Sequence, residues 1–279
     1  VRERMTGKGD GRPMLPGGTL QDRVAIITGG SSGLGLAMAR HFGQLGAAVA
    51  LAARNGERLD AAVRELESQG IAALGVPTDV RDPAQVDRLL AAALERFQRV
   101  DILVNNAAGN FVCPAHELSV GGWNAVVNIV LNGTFYCTRA VGRHWIEQGR
   151  PGSILNIVAT YAWTGGPGTV HSAAAKAGVL AMTRTLAVEW APYRIRVNAL
   201  APGPIDKTGG AAQLWPTQEA AERLRSHIPL GRFGEPEEVA HAAAYLVSDY
   251  ASFITGECLV IDGGGWLGRN LFVERTPRG

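Results

Sequence analysis

The chain has 279 residues, 46% hydrophobic and 19% charged, a balance that excludes a disordered polymer. With 27 Lys and Arg against 25 Asp and Glu, the formal charge is +2 and the basic residues are scattered, so no nucleic acid is expected as a partner. The longest apolar stretch, about Leu45–Ala53, falls far short of the ~20 residues of a membrane-spanning helix, so no membrane is expected either.

Cys113, Cys137 and Cys258 lie too far apart for metal-ligand spacing or a disulfide framework, which fits a reducing compartment. The first 18 residues lack an apolar core and the chain ends TPRG, so neither a signal peptide nor a peroxisomal tail is expected. The expectation is a cytoplasmic globular protein.

Residues 1–18, rich in Gly and Pro, read as a flexible arm ahead of a single domain over 19–279. From Leu20 on, short β-branched runs alternate with helical patterns. A strand at Val24–Thr28 precedes a glycine-rich turn and a helix with Leu34, Met38, Phe42 and Leu45 at helical spacing. Strand Ala48–Ala52, a helix around Leu59, Val63 and Leu66, and strand Ala72–Val76 follow.

Pro83 suits the first turn of the next helix, which carries Val86, Leu89, Leu90 and Phe97. Then come strand Ile102–Val104, a long helix through the Trp123–Ala140 region, strand Ile154–Val158 and an alanine-rich helix over Ser172–Trp190. Strand Arg196–Leu200, helix Glu235–Val247 and strand Cys258–Ile261 complete the series. Strands alternating with helices predict an α/β Rossmann-type doubly wound sheet of about seven parallel strands, with helices on both faces. Ligands of such sheets bind beyond the carboxyl ends of the strands.

After the first strand stands TGGSSGLG, residues 28–35. Gly29, Gly33 and Gly35 permit a tight turn, and the backbone from Ser31 and Ser32 to Leu34 can approach a pyrophosphate at the helix N-terminus. A site for NAD would place an acid at the end of the second strand, whereas this one ends AARN. Arg54, with its planar fork, suits a 2′-phosphate, so the expected cofactor is NADP(H). Asp79 and Val80 follow the third strand, beside the expected adenine site, where Asp79 could also cap a turn.

TGGSSGLG, Asp79-Val80, NNAAG (105–109), the Lys176 helix and PGPI (202–205) occur in an order that resembles the short-chain dehydrogenase/reductase family. NNAAGNFVCPA (105–115), IVLNGTFYCTRA (129–140), ATYAWTG (159–165), SAAAKAGV (172–179) and APGPIDKTGG (201–210) are similar to the 2,4-dienoyl-CoA reductases within it. The resemblance adds Asn106, Ala107, Pro202, Gly203 and Ile205 to the cofactor site, with Lys176 on the nicotinamide ribose. It also implies a homotetramer built on the long helices with Asn132 and Lys176 and on the last strand.

The common family pattern has Tyr four residues before the Lys and Ser thirteen before that Tyr; here those positions hold Ser172 and Ala159. Val130 stands three residues before Gly133, where most members carry an Asn. An alkyl hydroxyl at Ser172 is a poor acid for protonating an alkoxide, so carbonyl reduction is disfavoured.

Reduction of a conjugated C=C instead builds negative charge on a thioester oxygen and needs hydrogen-bond donors aimed at it. By the resemblance, Tyr161 is the principal donor, Asn132 its partner, and Ser172 a member of the polar network. His171, with no partner spacing, reads as structural or solvent-facing. The acyl-CoA phosphates make Arg54 and Arg81 candidate contacts, and residues 206–217 read as a substrate flap.

The resulting expectation is NADPH-dependent reduction of a 2,4-dienoyl-CoA to an enoyl-CoA in β-oxidation of unsaturated fatty acids. The alternatives are an oxidoreductase of 3-oxoacyl thioesters or alcohols, and a catalytically silent NADP-binding protein.

Overall fold

A computed structural model of the chain describes residues 15–206 and 217–267. Seven strands form one parallel sheet: β1 (Val24–Thr28), β2 (Ala48–Ala53), β3 (Ala73–Pro77), β4 (Ile102–Asn105), β5 (Gly152–Ile157), β6 (Ile195–Pro202) and β7 (Cys258–Ile261). Their spatial order is β3-β2-β1-β4-β5-β6-β7, so the chain moves outward from β1, then returns to place β4 on its other side. The reversal beside β1 is the switch point where open α/β sheets bind ligands.

The helices are α1 (Gly33–Gln44), α2 (Gly56–Ser68), α3 (Pro83–Phe97), α4 (Val120–Val127), α5 (Gly133–Glu147), α6 (Tyr161–Thr164), α7 (Val170–Glu189), α8 (Gln218–Ser226) and α9 (Pro236–Val247). Strand alternation sorts their apolar faces. Ala25, Ile27, Val49 and Leu51 share a core with Met38 and Phe42 of α1 and Ala243 of α9. Val24, Ile26, Ala50 and Ala52 face the opposite way, onto Val86 and Leu89 of α3 and Val141 and Trp145 of α5. Both faces of β1 are buried, which is why its sequence is a continuous apolar run.

The expected fold is present and the strands lie where the sequence puts them, with shifts of one or two residues at several ends. Three features differ. The long helix over the Trp123–Ala140 region is α4 and α5 joined by a π-helical turn at Asn128–Asn132. The helix expected to begin at Ser172 begins at Val170, so Ser172 is its third residue and Thr169 its N-cap. Short α6 is a single turn and polar α8 buries no residue, so neither carries the apolar stripe that would have announced it. Of the N-terminal arm only residues 15–18 are described, with Leu15 buried, and the flap at 206–217 falls almost wholly outside the described residues.

Candidate active site

The loop after β1 is held open by glycines and shut by one hydroxyl. Gly29 adopts φ +65°, and a Cβ on Gly35 would lie 2.3 Å from the Gly29 carbonyl oxygen, so α1 begins almost against the loop. Ser32 precedes α1 without a side-chain cap, and the first turn holds no acid, which leaves backbone N–H groups for an anion. The Thr28 hydroxyl donates to the Val104 carbonyl and accepts from the backbone N–H groups of Asn106 and Ala107. Asn106 returns its amide to the carbonyls of Thr28 and Gly29.

Around that loop, Arg54 lies exposed at the end of β2. Arg81 forms a two-pronged pair with Asp79, whose carboxylate also accepts the Arg81 backbone N–H. That pair, chiefly through its hydrogen bond, holds the Asp79 carboxyl below its usual range. Asp79 thus closes its own turn, while Asp82 caps α3. Val80 is buried, and Gly133 packs on it so closely that an added Cβ would sit 2.6 Å from a Val80 methyl. Gly203 meets Asp262 equally closely, and Ile205 is buried beside Gly234.

Beyond β5, α6 directs Tyr161 toward α7. Its hydroxyl lies 3.0 Å from Ser172 Oγ, and the Asn110 amide nitrogen approaches it at 3.4 Å. The phenol lost from the usual α7 position is therefore supplied from α6 to meet the serine standing there. Burial raises the Tyr161 pKa, with the two hydrogen bonds pulling the other way. Lys176, one turn beyond Ser172, is buried and donates to the Ile157 carbonyl; burial lowers its pKa to about 8.

Asn132 lies in the π turn and its amide donates to Asn128 Oδ1 at 2.8 Å. No hydrogen bond joins it to Tyr161 among the described residues. Asn110, which sequence reasoning missed, reaches the phenol because the loop after β4 folds back onto the segment between α6 and α7. A backbone bond from Cys113 N–H to the Gly168 carbonyl at 2.8 Å fixes that fold-back. An Asn directly after NNAAG was the available signal. His171 is fully buried rather than facing solvent. Trp163 meets Trp266 edge to face, with centroids 5.8 Å apart, across the loops after β5 and β7.

A family model described as Enoyl-(Acyl carrier protein) reductase matches residues 29–265. The chain belongs to the short-chain dehydrogenase/reductase family. Among relatives of this family, a Bacillus subtilis protein named a probable 2,4-dienoyl-CoA reductase, (2E)-enoyl-CoA-producing, is 51% identical over 249 residues, spanning 89% of this chain and 98% of its own. The Danio rerio peroxisomal 2,4-dienoyl-CoA reductase, named as (3E)-enoyl-CoA-producing, is 42% identical over 257 residues, spanning 92% and 85%. A solved short chain dehydrogenase from Bacillus anthracis superposes with a TM-score of 0.83 at 52% identity, covering 90% of this chain and 99% of that one. The expected similarity to dienoyl-CoA reductases therefore stands, as does the oxidoreductase class.

Proposed function

We propose that this reductase uses NADPH to reduce a 2,4-dienoyl-CoA to an enoyl-CoA, a reaction belonging to the β-oxidation of unsaturated fatty acids. The observation that carries the reading is the phenol of Tyr161 meeting Ser172 and Asn110 where the family's ordinary acid is absent.

The cradle fits a dinucleotide: Gly35 has no Cβ to collide with the turn, and the α1 N-terminus is uncapped. Gly29, Ser31, Ser32, Gly33 and Leu34 would hold the pyrophosphate, Asp79, Val80, Asn106 and Ala107 the adenine side, and Pro202, Gly203 and Ile205 the nicotinamide side. Arg54 would pair with the 2′-phosphate, which favours NADP over NAD. When bound, the reduced nicotinamide supplies a hydride to the far end of the conjugated system.

The protein's own task is the charge that then gathers on the thioester oxygen. Tyr161 is protonated at neutral pH, as any phenol with an ordinary pKa of about 10 would be, and burial disfavours its phenolate further. Its oxygen can accept from the Asn110 amide and the Ser172 hydroxyl, which leaves its own O–H to donate to the substrate. We assign the amide partner to Asn110 rather than Asn132, whose amide is engaged by Asn128. Lys176 would bind the nicotinamide ribose. Arg81 is already paired with Asp79, which weakens its candidacy for a CoA phosphate.

The test offers NADPH with a 2,4-dienoyl-CoA, with a 3-oxoacyl-CoA, and alone, while cofactor absorbance and the product's double-bond position are followed. Turnover of the dienoyl thioester alone is expected, and Tyr161→Phe should lower kcat about 10²-fold or more. Turnover of the oxo substrate alone would overturn the reading, and silence with intact cofactor binding would leave a nucleotide-binding protein. We further assign a homotetramer, supported by exposed Phe135 on α5 and Val188 on α7, and a cytoplasmic setting, consistent with three free cysteines.

A further inference from the structure

The first turn of α7 receives no side-chain hydrogen bond from its N-cap, Thr169, whose hydroxyl donates backward to the Gly166 carbonyl. A side chain inside the helix takes over. His171 Nδ1 accepts the backbone N–H of Ser172 at 2.8 Å, which requires a neutral imidazole with its proton on Nε2. That Nε2–H is buried with no hydrogen-bond partner among the described residues. An aliphatic or phenyl side chain would fill the same space without burying an unpaired donor, so packing alone does not explain an imidazole here.

The outer side of the ring carries a second connection. Phe111 meets His171 edge to face, with centroids 4.4 Å apart and planes at 83°. The Phe111 backbone N–H donates to Asn110 Oδ1 at 2.9 Å, which orients that amide so its nitrogen points to Tyr161. His171 therefore touches, directly or through Phe111, the segments that carry both hydrogen-bond partners of the Tyr161 hydroxyl.

We infer that His171 is a positioning residue that holds Ser172 by a side-chain cap and Asn110 through Phe111, so that both hydrogen bonds reach Tyr161 together. The inference rests on the reading of Tyr161 as the donor to substrate, but its geometry can be tested without substrate.

The experiment compares His171→Leu, which keeps the volume and removes the acceptor, with His171→Asn, whose Oδ1 can take the same N–H. In each, the Tyr161 phenol is titrated by 13Cζ-tyrosine NMR, assigned by Tyr161→Phe, and kcat with a 2,4-dienoyl-CoA is measured. His171→Leu should raise the Tyr161 pKa further and lower kcat about 10–100-fold, the scale of losses from small misplacements near a reacting centre. His171→Asn should restore both.

In a Ser172→Ala background, His171→Leu should add only its smaller effect through Asn110. An unchanged Tyr161 titration in His171→Leu, failure of Asn to restore it, or the same kcat loss in the Ser172→Ala background would overturn the inference. Should His171→Leu fail to fold, Phe111→Leu serves: it must shift the Tyr161 titration in the same direction, and no shift counts against the proposal. Absence of dienoyl-CoA turnover by the unmodified protein would remove the functional reading, whereas the titration alone reports on positioning.

Discussion

Lys176 illustrates how burial sets a working pH. With its pKa lowered to about 8 by desolvation, the ammonium is largely intact at pH 7 and neutral at pH 9. If it holds the nicotinamide ribose through its charge and protons, NADPH affinity should decline as pH rises through about 8. Isothermal titration from pH 6.5 to 9.5 checks this, and Lys176→Arg, which cannot deprotonate in that range, should lose the decline. The stability term has the opposite trend. Between about 8 and 10.5 the unfolded chain holds the proton more tightly than the native one, so this group's contribution to stability grows with pH across that window. Gly35 makes a purely steric prediction. A methyl there would press on the Gly29 carbonyl at 2.3 Å, so Gly35→Ala should cost about 1–3 kcal/mol of stability, read by urea denaturation, and weaken NADPH binding.

At the scale of elements, α1 and α9 pack with His41 and His241 edge to face, centroids 4.6 Å apart. Burial, then the charge of His241, lowers the His41 pKa below its ordinary 6.5. Below pH 6.5 the unfolded chain therefore binds the proton that the folded one resists, and stability is lost as pH falls toward the folded pKa. Tm measured from pH 7.5 to 5.0 should decline, and less steeply in His41→Leu.

The same packing shows what was legible from sequence. Met38 and Phe42 announced α1 because helices bury a periodic stripe. The π turn at Asn128–Asn132 was not legible, since a single wide turn inside a helical run leaves no mark in the spacing of its apolar residues. The start of α7 was misplaced because its N-cap, Thr169, makes no side-chain capping bond, and the hydrogen bond to the first turn comes from a histidine inside the helix.

Across the whole molecule, the sheet order was readable because strand–helix alternation leaves few topologies. The glycine turn was readable from its place between a strand and a helix, whereas Tyr161, Ser172 and Lys176 were singled out through the family resemblance, and the structure brings Tyr161 and Ser172 within hydrogen-bond distance. The partners of Asn110 and His171 were not readable, because Asn110 reaches Tyr161 and Phe111 reaches His171 only when the loops after β4 and β5 are brought together through Cys113 and Gly168. Assembly gives a further prediction at this scale. Phe135 is 47% exposed and Val188 79%, an apolar surface that the tetramer assignment would cover. Light scattering should give a tetramer for the native protein and smaller species for Phe135→Glu/Val188→Glu.

Thr28 carries one last implication. Neighbouring strands at a switch point send their loops apart, and that divergence opens a crevice by topology alone. One hydroxyl group fastens β1 to the chain leaving β4 at the bottom of that opening. The crevice can thus be wide at its mouth while its base stays fixed, like a hinge pinned at one edge. Unpinning it by the near-isosteric Thr28→Val should leave the sheet assembled but let the two loops drift, showing as faster amide exchange at Asn106 and Ala107.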